Sequence, residues 1–126
     1  ALEATLAEAR SLVADMKYRD ALAQFAQLDG SILQDTARQE AAAAADTLVK
    51  EERVRAGRLF VAARKEREAA TKVAALSEVH ALLLGLLSDF PDSKYQRRVQ
   101  DNLASVEREL DAARELLEPN AASPSP

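Results

Sequence analysis

Residues 82–103 read LLLGLLSDFPDSKYQRRVQDNL: an apolar helical run, a helix stop and a capped restart. Pro91 lacks a backbone N–H and disfavours helix at Phe90, so a helix must end near Asp89. Ser93 stands three residues before Gln96, the spacing at which a hydroxyl and a returning side chain cap a new helix. Two helices joined by so short a turn run antiparallel and pack face to face. The stretch therefore predicts an all-α chain built from stacked antiparallel helices.

The composition agrees. Among 126 residues there are 27 alanines but only three glycines and four prolines, two of them in the last three positions. Alanine is the best helix former and the other two are the usual breakers. Alternating β-branched and aromatic runs are missing, so no β-sheet is expected. With two tyrosines, three phenylalanines and no tryptophan, the helices must meet through Leu, Val and Ala at close approach.

Working outward, Leu2, Leu6, Ala9, Val13 and Met16 form one stripe, and Tyr18, Ala21, Leu22, Phe25 and Leu28 another. No breaker separates them, and the change of phase places a turn at 15–18. Gly30 suits the position after a helix end, and Ser31 with Gln34 or Thr36 with Gln39 offers a cap for the next. From there a helical pattern runs over 36–68, which as one helix would be roughly 50 Å long. A break near 50–53, giving two ordinary helices, is the alternative. The run 41–45 is all alanine and invites close helix packing, within the chain or with a partner. Val73, Leu76, Val79, Leu83, Leu86, Leu87 and Phe90 make the most apolar face. Tyr95, Val99, Leu103, Val106, Leu110, Ala113 and Leu117 line the last helix. About five helices are thus expected in one domain over 1–118, followed by a disordered Pro/Ser/Ala tail over 119–126. Leu83, Leu86, Val99, Leu103 and Leu110 are the expected core between the last two helices.

Chemistry is hard to build from these residues. There is no cysteine, which removes disulfides, thiolate zinc sites and cysteine nucleophiles. His80 is the single histidine, and its place beside Leu76 and Leu83 marks it as an edge-of-core residue. It cannot complete a zinc site of usual composition, and no Gly-x-Ser-x-Gly turn accompanies it. Gly30, Gly57 and Gly85 are isolated, so no glycine-rich phosphate loop is present. The reading is of a non-enzyme with no cofactor and no metal.

Net charge is −4, unevenly spread: −4 over 1–49, +4 over 50–72 and −4 over 73–126. Arg53, Arg55, Arg58, Arg64, Lys65 and Arg67 make the middle basic, with Glu51, Glu52, Glu66 and Glu68 interleaved. Interleaving reads as a solvated, salt-bridged face, and the overall acidity argues against a nucleic-acid partner. The longest uncharged apolar run, 79–88, is far shorter than the roughly 20 residues of a membrane span, so no membrane insertion is expected. The chain opens on Ala1 without a charged-then-apolar leader, which reads as a mature or excised fragment. Twelve arginines against five lysines, with the alanine excess, suggest a GC-rich bacterial source.

Two places resemble the tetratricopeptide repeat (TPR), a stacked pair of helices of about 34 residues. Tyr18, Ala21, Phe25 and Leu28 match the aromatic, alanine, aromatic and small positions of its second helix. The run from Leu86 to Pro91 resembles the end of such a helix with its closing proline. Asp89-Phe90-Pro91-Asp92-Ser93-Lys94-Tyr95 is similar to the inter-repeat turn of bacterial envelope TPR proteins, including outer-membrane assembly lipoproteins and Tol-Pal-associated periplasmic proteins. The resemblance implies a TPR-like stack that binds another protein without catalysis, in the bacterial periplasm or cell envelope. Apart from the resemblance, the central helix is the one that offers two apolar faces, and the basic arc along it makes Arg53, Arg55, Arg58, Phe60, Arg64 and Arg67 the expected partner-binding residues, rimming a groove there. A self-associating helical bundle is the alternative, suggested by the sustained stripe from Tyr95 to Leu117, and a homo-oligomer would follow from it.

Overall fold

The computed structural model describes residues 1–117; the tail expected over 119–126 lies outside the described residues. Five α-helices account for the fold: α1 (Leu2–Ala14), α2 (Tyr18–Ala26), α3 (Gln34–Arg64), α4 (Ala69–Asp89) and α5 (Gln96–Leu117). No strand occurs among the described residues. The fold is all-α, and α3 is one helix of 31 residues that runs through 50–53 without a break. Packing gathers into two compact units, Ala1–Lys50 and the residues from Glu51 onward, within the stretch read as one helical domain.

In the first unit α1 packs on α2 across a three-residue turn. Met16 sits there in the left-handed region at φ 62°. Its N–H donates to the Val13 carbonyl at 2.9 Å, and that of Lys17 to the Leu12 carbonyl at 2.8 Å. This is the Schellman pattern, closed by methionine where glycine is usual. Ala9 and Ala21 have no exposed surface, as expected where two helices approach closely. Leu6, Tyr18, Phe25 and Leu28 are buried beside them, with Ala37, Ala44, Leu48 and Val49 from α3. Gly30 ends the next turn at φ 82°, and its N–H donates to Gln34 Oε1 at 2.7 Å. The Ser31 hydroxyl accepts from the Leu33 N–H at 3.1 Å. Of the two candidate caps, Ser31 with Gln34 is the one used.

In the second unit α4 packs on α5. Leu76, Val79, Leu83 and Leu86 of α4 are buried, as are Val99, Leu103, Val106, Leu110 and Ala113 of α5. Ala63 from α3 joins Leu76, Leu110 and Ala113 in one cluster, with Phe60, Val73 and Ala75 packed around it. Every residue of the expected α4–α5 core is in place. Phe90 ends α4 and Ser93 starts the return, its hydroxyl accepting from the Tyr95 N–H at 3.2 Å.

The end of α3 differs from expectation. The helix stops at Arg64 rather than 68, closing through bonds from the Lys65 N–H to Ala62 and from the Glu66 N–H to Ala63, both 3.2 Å. Ala63 is the last α3 residue that reaches the core, and residues 64–68 are all charged and exposed. They have nothing to bury, so no packing holds further helical turns. Arg64 stays in the last turn, where its charge favours the helix dipole, while Lys65 and Arg67 stand in the connection.

Candidate functional site

Two contacts orient the second unit: Arg53 Nη1 donates to Asn102 Oδ1 at 3.4 Å, and Arg64 Nε lies 3.4 Å from Glu109 Oε1. Residue numbers rise together on both helices, so this part of α3 and α5 run parallel, with α4 as the return helix. A groove lies between them. Its first part, about 290 Å³, is lined by Arg53, Gly57 and Phe60 on α3 and by Asn102 and Ser105 on α5, over Val79 and Leu83 of α4. Its second part, about 350 Å³, continues past Phe60 and Ser105 to Arg64, Arg108, Glu109 and Ala112.

The groove stays open because small residues face each other across it. A Cβ at Gly57 would meet no atom within 4 Å. Ser105 and Ala112 are also small on α5, while Ala56, Ala63 and Ala113 below let the helices close on a packed floor.

Electrostatically the α3 wall is basic and the α5 wall is balanced. Arg53, Arg64 and Arg108 face Glu109, in a chain of net charge −4. Glu109 already pairs with Arg64, whose guanidinium carbon also stands 5.5 Å from the centroid of Phe60, a cation–π distance. Arg108 Nη2 donates to the Ser105 hydroxyl at 3.1 Å. Arg53 Nε is buried without a hydrogen-bond partner.

Of the six residues proposed from sequence, the structure brings three together: Arg53, Phe60 and Arg64 share the groove. Arg55 and Arg58 do not join them. At 100° per residue they project from the side of α3 away from Arg53, Phe60 and Arg64, and Arg55 pairs with Glu52 at 3.1 Å. Arg67 is exposed in the α3–α4 connection. The α5 wall was not foreseen. Its signal was the row Asn102, Ser105, Glu109 and Ala112, spaced by three, four and three beside the core stripe. Arg98 and Lys94 instead lie over the Tyr95 ring, at 5.9 and 5.3 Å.

A smaller cleft of about 250 Å³ in the first unit is lined by Val13, Phe25, Ala43, Ala44 and Thr47. At its edge Arg10 Nε and Nη2 donate to the two Glu40 carboxylate oxygens at 2.8 and 2.7 Å. That bidentate pair holds Glu40 below, and Arg10 above, its ordinary pKa. His80 is part-exposed at the core edge, with Nε2 3.9 Å from Glu107 Oε1. Among the described residues no group of three His, Asp or Glu side chains is placed to hold a metal ion. By length and composition α4 is apolar enough to cross a membrane, yet its Leu76, Val79, Leu83 and Leu86 are buried in the core of the second unit.

No protein-family model, curated protein or solved structure matches the chain.

Proposed function

We propose that the chain is a non-catalytic, TPR-like scaffold that holds a partner protein in the α3–α5 groove, within a bacterial cell-envelope complex. The observation that carries this reading is the groove itself, open between two parallel helices over an apolar floor, with Arg53 and Arg64 on one wall and Arg108 beside Glu109 on the other. Its length, between Arg53 and Arg64, is roughly 16 Å, which suits a peptide segment better than a small enclosed ligand. The TPR-like element of the proposal is supported by the burial of Tyr18, Ala21, Phe25 and Leu28, the positions that carry the resemblance. The envelope setting rests on the turn from Asp89 to Tyr95.

Self-association is the weaker reading. The stripe that suggested it is occupied by packing inside the second unit, which leaves Leu116 and Leu117 exposed at its end. Site-specific photo-crosslinking tests the proposal. A crosslinker at Ser105 should trap a defined partner in envelope extract, and one at Arg58 should not. Equal products from both positions, or none from Ser105, refute groove binding.

A further inference from the structure

We propose that the groove recognises an acidic, amphipathic segment of a partner protein, whose carboxylate pairs with Arg53 while its apolar side chain enters beside Gly57. The inference rests on the groove reading above and adds the chemistry of the occupant.

Arg53 is the starting point. It is half-buried at one end of the groove, its Nη1 makes only a long 3.4 Å bond to Asn102, and its Nε has no partner. Nε is sealed from solvent, so an occupant meets the guanidinium through its Nη donors, which hold only that one long bond. The guanidinium presents its donors as a planar fork that matches a carboxylate. The groove's own carboxylate, Glu109, is taken by Arg64 at the far end. Charge complementarity therefore selects an anionic occupant, and in an unmodified peptide segment the side chain that meets the planar fork is a carboxylate.

The rest of the groove describes what must be attached to it. Between Gly57 and Ser105 the floor is Val79 and Leu83, with Phe60 where the two parts of the groove meet. The volume of about 290 Å³ is at the lower bound of small-molecule sites, and the groove continues past Phe60 instead of closing. That space suits individual side chains of a longer segment. Val54, about half exposed at 49%, extends the apolar lip on α3. The carboxylate and the apolar side chain must lie about one helical turn apart, the separation of Arg53 from Gly57. An amphipathic segment with acidic and apolar residues three or four apart meets that condition.

The test is selection of random peptides of about a dozen residues, displayed on phage, against the whole chain at low salt. Binding of the enriched peptide is then measured by fluorescence anisotropy against wild type, R53Q, G57W and R58Q, each first checked for helicity. We expect a motif of Asp or Glu three or four residues from Leu or Phe. Affinity should fall about tenfold or more with R53Q, vanish with G57W, hold with R58Q and weaken with added salt. A neutral or basic motif lost with G57W but unchanged by R53Q overturns the carboxylate and leaves the groove standing. Failure to enrich any peptide that G57W abolishes overturns both. Concentration-dependent dimerisation abolished by G57W would make a second copy the occupant and overturn the partner assignment.

Discussion

Leu76 has no exposed surface and is surrounded by Ala63, Leu110, Ala113, Phe60 and Val73. Leu76→Ala removes three carbons from this cluster, which at about 0.8 kcal/mol each forfeits roughly 2.5 kcal/mol of burial. Two of the neighbours are alanines, which cannot lean into the space. A residual void of roughly 60 Å³ at about 24 cal/mol per Å³ adds roughly 1.5 kcal/mol, for a loss near 4 kcal/mol. Leu103 is a useful comparison because it is 8% exposed, so its void opens towards solvent. Leu103→Ala should cost only about 2.5 kcal/mol. Urea unfolding followed by circular dichroism reads both. At a slope near 2 kcal/mol per molar, the midpoint should fall by about 2 M for Leu76→Ala and by little more than half that for Leu103→Ala. If Leu76→Ala leaves too little folded protein to titrate, Leu76→Val should lose about 1 kcal/mol. An unchanged midpoint for Leu76→Ala, or a larger loss for Leu103→Ala, would refute the burial argument.

Three further outcomes follow from particular residues. Met16→Gly should raise stability by about 0.5–1 kcal/mol, since glycine relieves the left-handed strain at a smaller entropy cost; a lower melting temperature contradicts this. Gly57→Ala should stabilise α3 by about 1 kcal/mol, because its Cβ meets nothing, and thermal unfolding that shows a loss would mean the groove is closed in solution. Glu40 has its folded pKa depressed by Arg10, so its contribution is present above the ordinary carboxylate range and is lost as pH falls through the folded value. Glu40→Gln should therefore be less stable than wild type at neutral pH and approach it as the pH falls below the ordinary carboxylate range, as chemical denaturation across that range would show.

The local chemistry of the chain determined its helices. Pro91, Gly30 and the hydroxyls of Ser31 and Ser93 act within a few residues of themselves, so their effect on the backbone is readable in order along the sequence. The change of phase between the stripes of α1 and α2 likewise placed a turn at 15–18, although nothing marked Met16 as its left-handed residue. The end of α3 was read four residues late, because charged residues keep their helical propensity where nothing remains to pack beneath them.

The site was legible in part. Arginine enrichment pointed to Arg53 and Arg64, and Phe60 stood out among them as the aromatic. Helix geometry alone sets them apart from Arg55 and Arg58, but which of the two sets faces the groove depends on which side of α3 is buried, and a helix with apolar residues on two faces does not declare that. Asn102, Ser105 and Glu109 became part of the groove only because α4 returns the chain and sets α5 beside α3. Helix propensity and capping are properties of neighbouring residues. A groove is a space left between segments some 50 positions apart, where Gly57 and Ser105 are too short to fill it. That spacing exists only once the helices have packed.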